Sequence, residues 1–371
     1  MNCIIAIMKK SITLLTMLLL IVSSQAQRGD LKAEIKQIII HDTDISLSDT
    51  PGFIVGMVDG DSTYYVEFGA KIKGEPITLN TNDIFEVGSI TKVYTSSLVS
   101  ILDNEQILSI TDPINRYISE ENQNPRMDSV TILDLIHHSS GLPVRPYMFG
   151  RKQRNAQNPY QYYEKSDLLS FYKDFVPKSK GVFNYSHTNY ALLEIVLENA
   201  TGKSFAQLID EYIVTPLELE KTFVSFQEQR KDIVAPGYDR AGRLTQPWLF
   251  ASFGASEGLK TTVSDMVHFM RINLGIVDHP YSKIFESNHV KELNTNFNES
   301  IKTGRGWQIL ERKRKYDIVT HTGNTDGHNA FMAFVKETNT GVVILSNSNI
   351  GTRDLGFLIL RMINYGWKRE G

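Results

Sequence analysis

The stretch Phe85–Leu98, "FEVGSITKVYTSSL", decides how the rest of the chain is read. A strand-like run, "DIFEV" from Asp83, leads into Gly88 and Ser89, and Ser89 opens an apolar-rich helix, "TKVYTSSLVSIL". Ser89 and Lys92 stand three residues apart, and residues so spaced share one helix face, so the amine can approach the hydroxyl. A serine at a helix start most often caps it. That accounts for Ser89 and leaves Lys92 unexplained, since a cation in a first turn opposes the helix macrodipole at a cost of about 0.3–1 kcal/mol. A desolvated lysine gives up its proton more readily and can serve as, or assist, the base that a nucleophilic serine needs. Spacing alone does not decide, because "SFYK", Ser170 to Lys173, has the same interval. It falls within "SDLLSFYKDFVPKSK", a polar-faced amphipathic helix where both residues read as solvated.

The surrounding chain supplies the context. Its 371 residues, 41% of them hydrophobic, suffice for a large core in one big domain or two intimate ones. Lys and Arg total 39 against 42 Asp and Glu, so there is no electrostatic footprint for nucleic acid. At the N-terminus, Lys9 and Lys10 precede the apolar run "SITLLTMLLLIVSS", and "SQA" at Ser24–Ala26 makes a small-residue cleavage site. The run is short of the roughly 20 apolar residues that span a bilayer. Residues 1–26 are therefore expected to be a signal peptide, with the mature protein periplasmic or secreted and without a stable membrane span. The lone cysteine, Cys3, lies before that run, so the mature chain has no thiol for disulfide, nucleophilic or metal chemistry.

"DLKAEIKQIIIHD" from Asp30 reads as an amphipathic helix, and "GFIVGMVDGDSTYYVEFGAKI" as a hairpin around Asp59-Gly60. From Phe85 to about Leu249 the pattern is largely helical. Thr262 can cap "DMVHFMRINLG" with Asp265 much as in a capping box. Short strands then alternate in "GWQILERK", "YDIVTHTG", "NAFMAFVKE" and "GVVILSNS", before a final helix, "DLGFLILRMINYGW". The expected fold is α+β: an antiparallel sheet flanked by terminal helices (about residues 27–88 and 265–371) with an all-helical lobe (about 89–264) inserted, and a cleft between them.

Two further pieces can carry chemistry. In "FNYSHTNYALLEIVLENATGKSF", Tyr190 reads as helix core, whereas Tyr185 precedes the periodic run and can point its hydroxyl into a cleft. Near a lysine ammonium its pKa is expected to fall, which suits a general base. In "THTGNTDGHNAFMAF", Thr322 and Gly323 end a strand, and Gly323 allows close backbone approach. A free edge N–H there, with that of Ser89, would make an oxyanion hole. "KTG" at Lys302–Gly304 competes for this role.

"GSITKVYTSSLVSILDNEQILSITDPINRYI" strongly resembles the serine β-lactamase-like family of class C β-lactamases, DD-carboxypeptidases, D-aminopeptidases and esterases. The similarity continues in order through "DLIHHSSGLP", "YSHTNYALL", "TGKSF", "PLELEKTF", "EGLKTTVSDMVHFM", "GRGW" and "HTGNTDGHNAF". The resemblance implies a β-lactamase/transpeptidase-like fold, with Ser89 as acylated nucleophile, Lys92 as its proton partner and Tyr185 as a further proton carrier. Which of Lys92 and Tyr185 is the base stays open, since coupled groups titrate jointly. It also implies that His321, Thr322 and Gly323 form the third motif, selected over the upstream KTG. Thr322 would bind substrate polar groups, and Asn324 N–H would complete the oxyanion hole. No metal or cofactor is implied. His137 and His138 fall in a helix–loop signature, where a structural role is expected.

Two positions depart from the pattern. His187 stands where many members carry asparagine; a neutral imidazole offers one donor and one acceptor where an amide offers both types at once. A packing role for His187 is the plain alternative. His321 stands where class C β-lactamases carry lysine, so a fixed charge for a substrate carboxylate is missing or conditional. At 4 Å such a charge interaction is about 4 kcal/mol at effective dielectric 20. If His321 grips a carboxylate, affinity should rise as pH falls toward 6. The expected activity is that of an exported acyl-hydrolase acting on a peptide amide, cell-wall peptides among them, or an ester. The alternatives are a class C-like β-lactamase and a non-catalytic penicillin-binding or sensor protein. Tyr147, Tyr160, Tyr238 and Trp248 are candidates to line the cleft, with core packing as their alternative.

Overall fold

The computed structural model describes residues 30–47, 50–151, 158–224, 234–312 and 315–365. The expected leader, with Cys3, Lys9, Lys10 and the Ser24–Ala26 cleavage site, lies outside them. Residues 1–46 and 47–371 cluster as two units. Within the first, residues 30–42 form α1, which buries Leu31, Ile35 and Ile39 at four-residue intervals along one helix face.

The second unit is built on an eight-stranded antiparallel sheet. Its strands are β1 (Gly52–Asp59), β2 (Ser62–Gly69), β5 (Leu293–Asn294), β6 (Ile301–Thr303), β7 (Gln308–Leu310), β8 (Ile318–Asn324), β9 (Asn329–Val335) and β10 (Thr340–Ser346). They lie in the order β2-β1-β10-β9-β8-β7-β6-β5. Every residue of β10, "TGVVILS", is buried. Because successive side chains point to opposite faces, both faces of the sheet are covered there. Helices α8 (Val263–Leu274) and α10 (Arg353–Tyr365) pack on it. The hairpin read around Asp59-Gly60 closes with Asp59 opposite Ser62.

The expected strand "DIFEV" does not join this sheet. As β3 (Ile84–Glu86) it pairs with β4 (Lys260–Thr262), which makes a separate two-stranded ribbon. Between those strands run α2 (Thr91–Asn104), α3 (Ile132–Ile136), α4 (Lys165–Asp174), α5 (His187–Thr201), α6 (Phe205–Ile209) and α7 (Gly254–Glu257). Helix α9 (Pro280–Glu286) follows α8. Helix α2 is buried without a break from Thr91 to Leu102, and Tyr94 stacks on Phe269 at 4.1 Å. A helix buried all round belongs in a core, and here Thr91, Thr95, Ser96 and Ser100 are hydrogen-bonded inward, as in Thr95 Oγ1 to the Ala255 carbonyl (2.7 Å). Thr262 caps α8 by accepting the Asp265 N–H (3.1 Å), but the Asp265 carboxylate turns to Thr222 and the Lys221 N–H, so the reciprocal half of the capping box is absent.

The register of β8 positions the site. Strand β7 pairs with β8 only from Ile318 to Thr320, whereas β9 pairs with it from Val319 to Asn324. From His321 onward one edge of β8 is therefore free of the sheet, and this strand packs on the Gly88–Ile90 turn. The competing Lys302-Thr303-Gly304 stays on the outer strands, where half-buried Lys302 donates to Asn294 and to the Glu299 carbonyl. Among the described residues, no helix is long and apolar enough to cross a membrane.

Candidate active site

The chain places Ser89 through a sharp change of direction. Gly88 has φ +48°, a left-handed conformation that glycine adopts without steric cost. A Cβ there would fall 2.5 Å from the Asn324 carbonyl oxygen. Gly88–Ile90 then form one 3-10 turn leading into α2. Ser89 is consequently not a cap: the caps are Val87 and Ile90, without side-chain hydrogen bonds. The turn is tied to the β4 side by Thr91, which donates to the Gly88 carbonyl (2.7 Å) and accepts the Leu259 N–H (3.0 Å). This stitch sets α7 directly behind Ser89.

Lys92 is fully buried, and its Nζ lies 3.0 Å from Ser89 Oγ, 2.9 Å from the Ser256 carbonyl and 2.8 Å from Glu257 Oε1. Three acceptors match the three protons of an ammonium. Burial pulls the Lys92 pKa below the ordinary lysine range, and the Glu257 charge pulls it back up. Burial would raise the Glu257 carboxyl, but the Lys92 charge and the His187 and Lys92 hydrogen bonds outweigh it and hold the group far below the usual carboxylate range. The same oxygen accepts from Ser89 Oγ (2.8 Å) and stands 2.5 Å from His187 Nδ1. Glu257 is thus an ionised hub for the Ser89 hydroxyl, the Lys92 amine and the His187 imidazole. The contrast with the control is plain, since Ser170 and Lys173 on α4 are both exposed.

Tyr185 corrects one expectation. Lys92 Nζ lies over its ring, 5.3 Å from the centroid. Burial and the Glu257 charge raise the phenol's pKa, against a smaller lowering by a hydrogen bond with Ser89. Tyr185 is therefore held protonated, a donor and not a resting base. His187 sits in the first turn of α5, its ring edge-on to Tyr185 at 5.4 Å. Burial and Lys92 lower its pKa, so the ring is neutral at neutral pH.

The free end of β8 forms the opposite wall. A Cβ on Gly323 would fall 2.0 Å from the Val87 carbonyl oxygen and 2.8 Å from Ser89 N, so only glycine lets the two backbones meet. Ser89, Tyr185, His187, His321, Thr322 and Asn324 all border one cavity of about 580 Å³, with Lys92 behind it. His321 corrects a second expectation. It is 4% exposed, its Nδ1 donates to the Thr322 carbonyl (2.7 Å), and burial and Lys92 depress its pKa to about 4. It carries no charge at pH 6, so it cannot tighten carboxylate binding there.

Two residues of the site were missed. Glu257 lies in "ASEGLK", with no spacing that ties it to Ser89. Arg353, at the start of α10, is the one lysine or arginine among the described residues bordering the cavity. The loop aromatics do not border it: Tyr160 is fully buried, Trp248 is 6% exposed, Tyr238 accepts the Lys73 N–H, and exposed Tyr147 packs on Phe171. His137 pairs with Glu292, and His138 accepts the Ser186 N–H (3.0 Å) ahead of α5, as structural roles require.

The family model described as Beta-lactamase matches residues 45–363. A beta-lactamase of Pseudomonas fluorescens is 23% identical over 81% of this chain and 89% of its own length. Penicillin-binding protein 4* of Bacillus subtilis is 24% identical over 81% and 69%. Among solved structures, the class C beta-lactamase of Rhodobacter sphaeroides aligns with a TM-score of 0.75 at 20% identity, covering 90% of this chain and 99% of that one. The beta-lactamase/D-alanine carboxypeptidase of Pseudomonas syringae aligns with a TM-score of 0.77 at 17% identity, covering 93% and 100%.

Proposed function

The chain belongs to the beta-lactamase family and is a serine hydrolase, and we propose that it acts through a Ser89 acyl-enzyme on a peptide amide or an ester. The reading rests on one observation, the fully buried Lys92 amine 3.0 Å from Ser89 Oγ. Ser89 Oγ attacks the acyl carbon, and its proton passes into the Lys92–Glu257 pair. The oxyanion is held by the N–H groups of Ser89 and Asn324, the first of which has no partner within its own helical turn. Tyr185 gives its phenol proton to the leaving amine or alkoxide and is reprotonated from the Lys92–Glu257 pair. Thr322 orients the acyl group. Residues 1–26 would direct export, to the periplasm or beyond.

A class C-like β-lactamase is the second reading. Arg353 favours it, as a permanent cation on the cavity wall that can meet a substrate carboxylate; neutral His321 argues against it. Intact-mass analysis after incubation with a penicillin, with a D-alanyl dipeptide ester as companion substrate, separates the readings. A long-lived adduct on Ser89 with slow penicillin turnover is expected. Rapid penicillin hydrolysis would favour the β-lactamase. Binding without turnover, unchanged in Ser89→Ala, would leave a non-catalytic sensor.

A further inference from the structure

The acyl-enzyme reading does not by itself assign the base for the second half of the reaction. Lys92 gives its three protons to Ser89, Ser256 and Glu257 and has no lone pair to offer. Tyr185 is kept protonated. The Lys92–Glu257 pair takes the Ser89 proton from behind the cavity, whereas the water that releases the acyl group comes from the cavity itself, which His187 borders and the pair does not. His187 Nδ1 faces an ionised carboxylate oxygen at 2.5 Å. Two lone pairs would repel at that distance, so Nδ1 carries the proton and donates it. The tautomer is thereby fixed, and Nε2 is left with its lone pair bare. Nε2 has no hydrogen-bond partner among the described residues, and the side chain, 15% exposed, borders the cavity beside Ser89.

We propose that Glu257 and His187 form a carboxylate–imidazole pair in which His187 Nε2 takes the proton from the water that hydrolyses the Ser89 acyl-enzyme. This deepens the acyl-enzyme reading and rests on it. The water oxygen bonds to the acyl carbon while its proton passes to Nε2, and Glu257 stabilises the imidazolium, as a carboxylate does for histidine in a serine triad. The bond from acyl carbon to Ser89 Oγ then breaks, and Oγ takes a proton from Lys92. The cycle closes when the imidazolium releases its Nε2 proton to solvent and Lys92 regains one. His187 in place of asparagine and Glu257 behind it are two halves of one device. An amide could not accept that proton.

The test is stopped-flow hydrolysis of p-nitrophenyl acetate, where the nitrophenolate burst reports acylation and the steady state reports deacylation. His187→Ala should keep the burst within a few-fold and slow the steady state by about 10²–10⁴. Acetyl-Ser89 should then accumulate in quenched mass spectra, and added imidazole should restore turnover. The acid limb of the wild-type deacylation profile should disappear in this variant. It should survive His321→Gln, although His321, His138, Lys92, Arg145, Tyr185 and Glu257 all bear electrostatically on this site. Unchanged deacylation in His187→Ala overturns the assignment. So does loss of the burst in both His187→Ala and His187→Asn, which would make the residue a servant of acylation. If Ser89→Ala turns over the ester as fast as the wild type, the acyl-enzyme reading itself falls, and this one with it.

Discussion

Substituting Gly323 by alanine tests whether β8 must touch the Ser89 turn for the enzyme to work. The new Cβ would lie 2.0 Å from the Val87 carbonyl oxygen, where ordinary contact begins at 3.4 Å. Relief therefore needs 3.4 − 2.0 = 1.4 Å of separation between two backbones, because no flexible side chain can give way. That movement carries Asn324 N–H away from Ser89 N–H. Oxyanion donors act at about 2.7–3.1 Å, and loss of one costs about 10²–10³ in kcat. Overpacking of this kind costs about 1–3 kcal/mol of stability. Gly304 of the upstream KTG is the internal control, since a Cβ there meets the Asn288 carbonyl oxygen at 2.3 Å, a similar backbone clash that does not involve β8 or the Ser89 turn. Gly304→Ala should thus lose comparable stability and keep its activity within a few-fold, whereas Gly323→Ala should lose kcat by two to three orders. Urea unfolding and ester turnover of the two variants, compared at equal folded fraction, measure both effects. Wild-type kcat in a folded Gly323→Ala, or equal loss of kcat in both, would refute the oxyanion assignment and the choice of His321-Thr322-Gly323 as the working motif.

The buried ion pair should show itself in stability. Lys92→Met strands an ionised Glu257 and should cost about 3–5 kcal/mol at pH 7; Glu257→Gln should also destabilise, and the double variant should cost clearly less than the sum in urea unfolding, so additive values would contradict the pair. Acid should destabilise the fold through two histidines kept neutral by burial, His321 with a pKa of about 4 and His289 with a pKa of about 3. Both are depressed below the unfolded value of about 6.5, so the unfolded chain binds more protons between those limits. Their contribution is complete above pH 6.5 and is lost as pH falls, by about 2–3 kcal/mol each at pH 4. A urea midpoint flat from pH 6.5 to 4.5, or a slope untouched by His289→Gln, would count against it.

What the chain discloses by itself follows the reach of each interaction. Ser89 and Lys92 share one turn, so their spacing is legible, and the buried run of α2 around them explains why this lysine is desolvated while Lys173 is not. The strands of the main sheet are legible because β10, β9 and β1 are long apolar runs. The three-residue β3 has no such pattern to assign its partner, and it pairs with a segment more than 170 residues away. Glu257 is hidden for the same reason. Its chemistry depends on meeting Lys92 and His187 across the fold, and glycine-flanked "ASEGLK" carries no mark of that meeting. The protonation of Tyr185 is not legible in the sequence, because nearness to Lys92 is only one of the influences on it. Burial and the unseen carboxylate act in the opposite direction and prevail.

Charge balance connects these points to specificity. Inside the proposed catalytic cluster, ammonium and carboxylate cancel, and His187, His321 and Tyr185 are neutral, so the cluster presents no net charge to a substrate. Exposed Arg353, on the far wall, is then the only permanent charge among the described residues bordering the cavity. An acyl donor with a neutral carbonyl end and an anionic tail matches that layout: the tail can reach Arg353 without being drawn toward Lys92, whose charge Glu257 already neutralises. Arg353→Ala should consequently raise KM for a carboxylate-bearing substrate by about tenfold, the value of roughly 1.4 kcal/mol, and leave that for a neutral ester unchanged. Because the arginine is exposed, the effect should shrink as salt is raised. Equal KM changes for the charged and the neutral substrate would instead make Arg353 part of the cavity wall and nothing more.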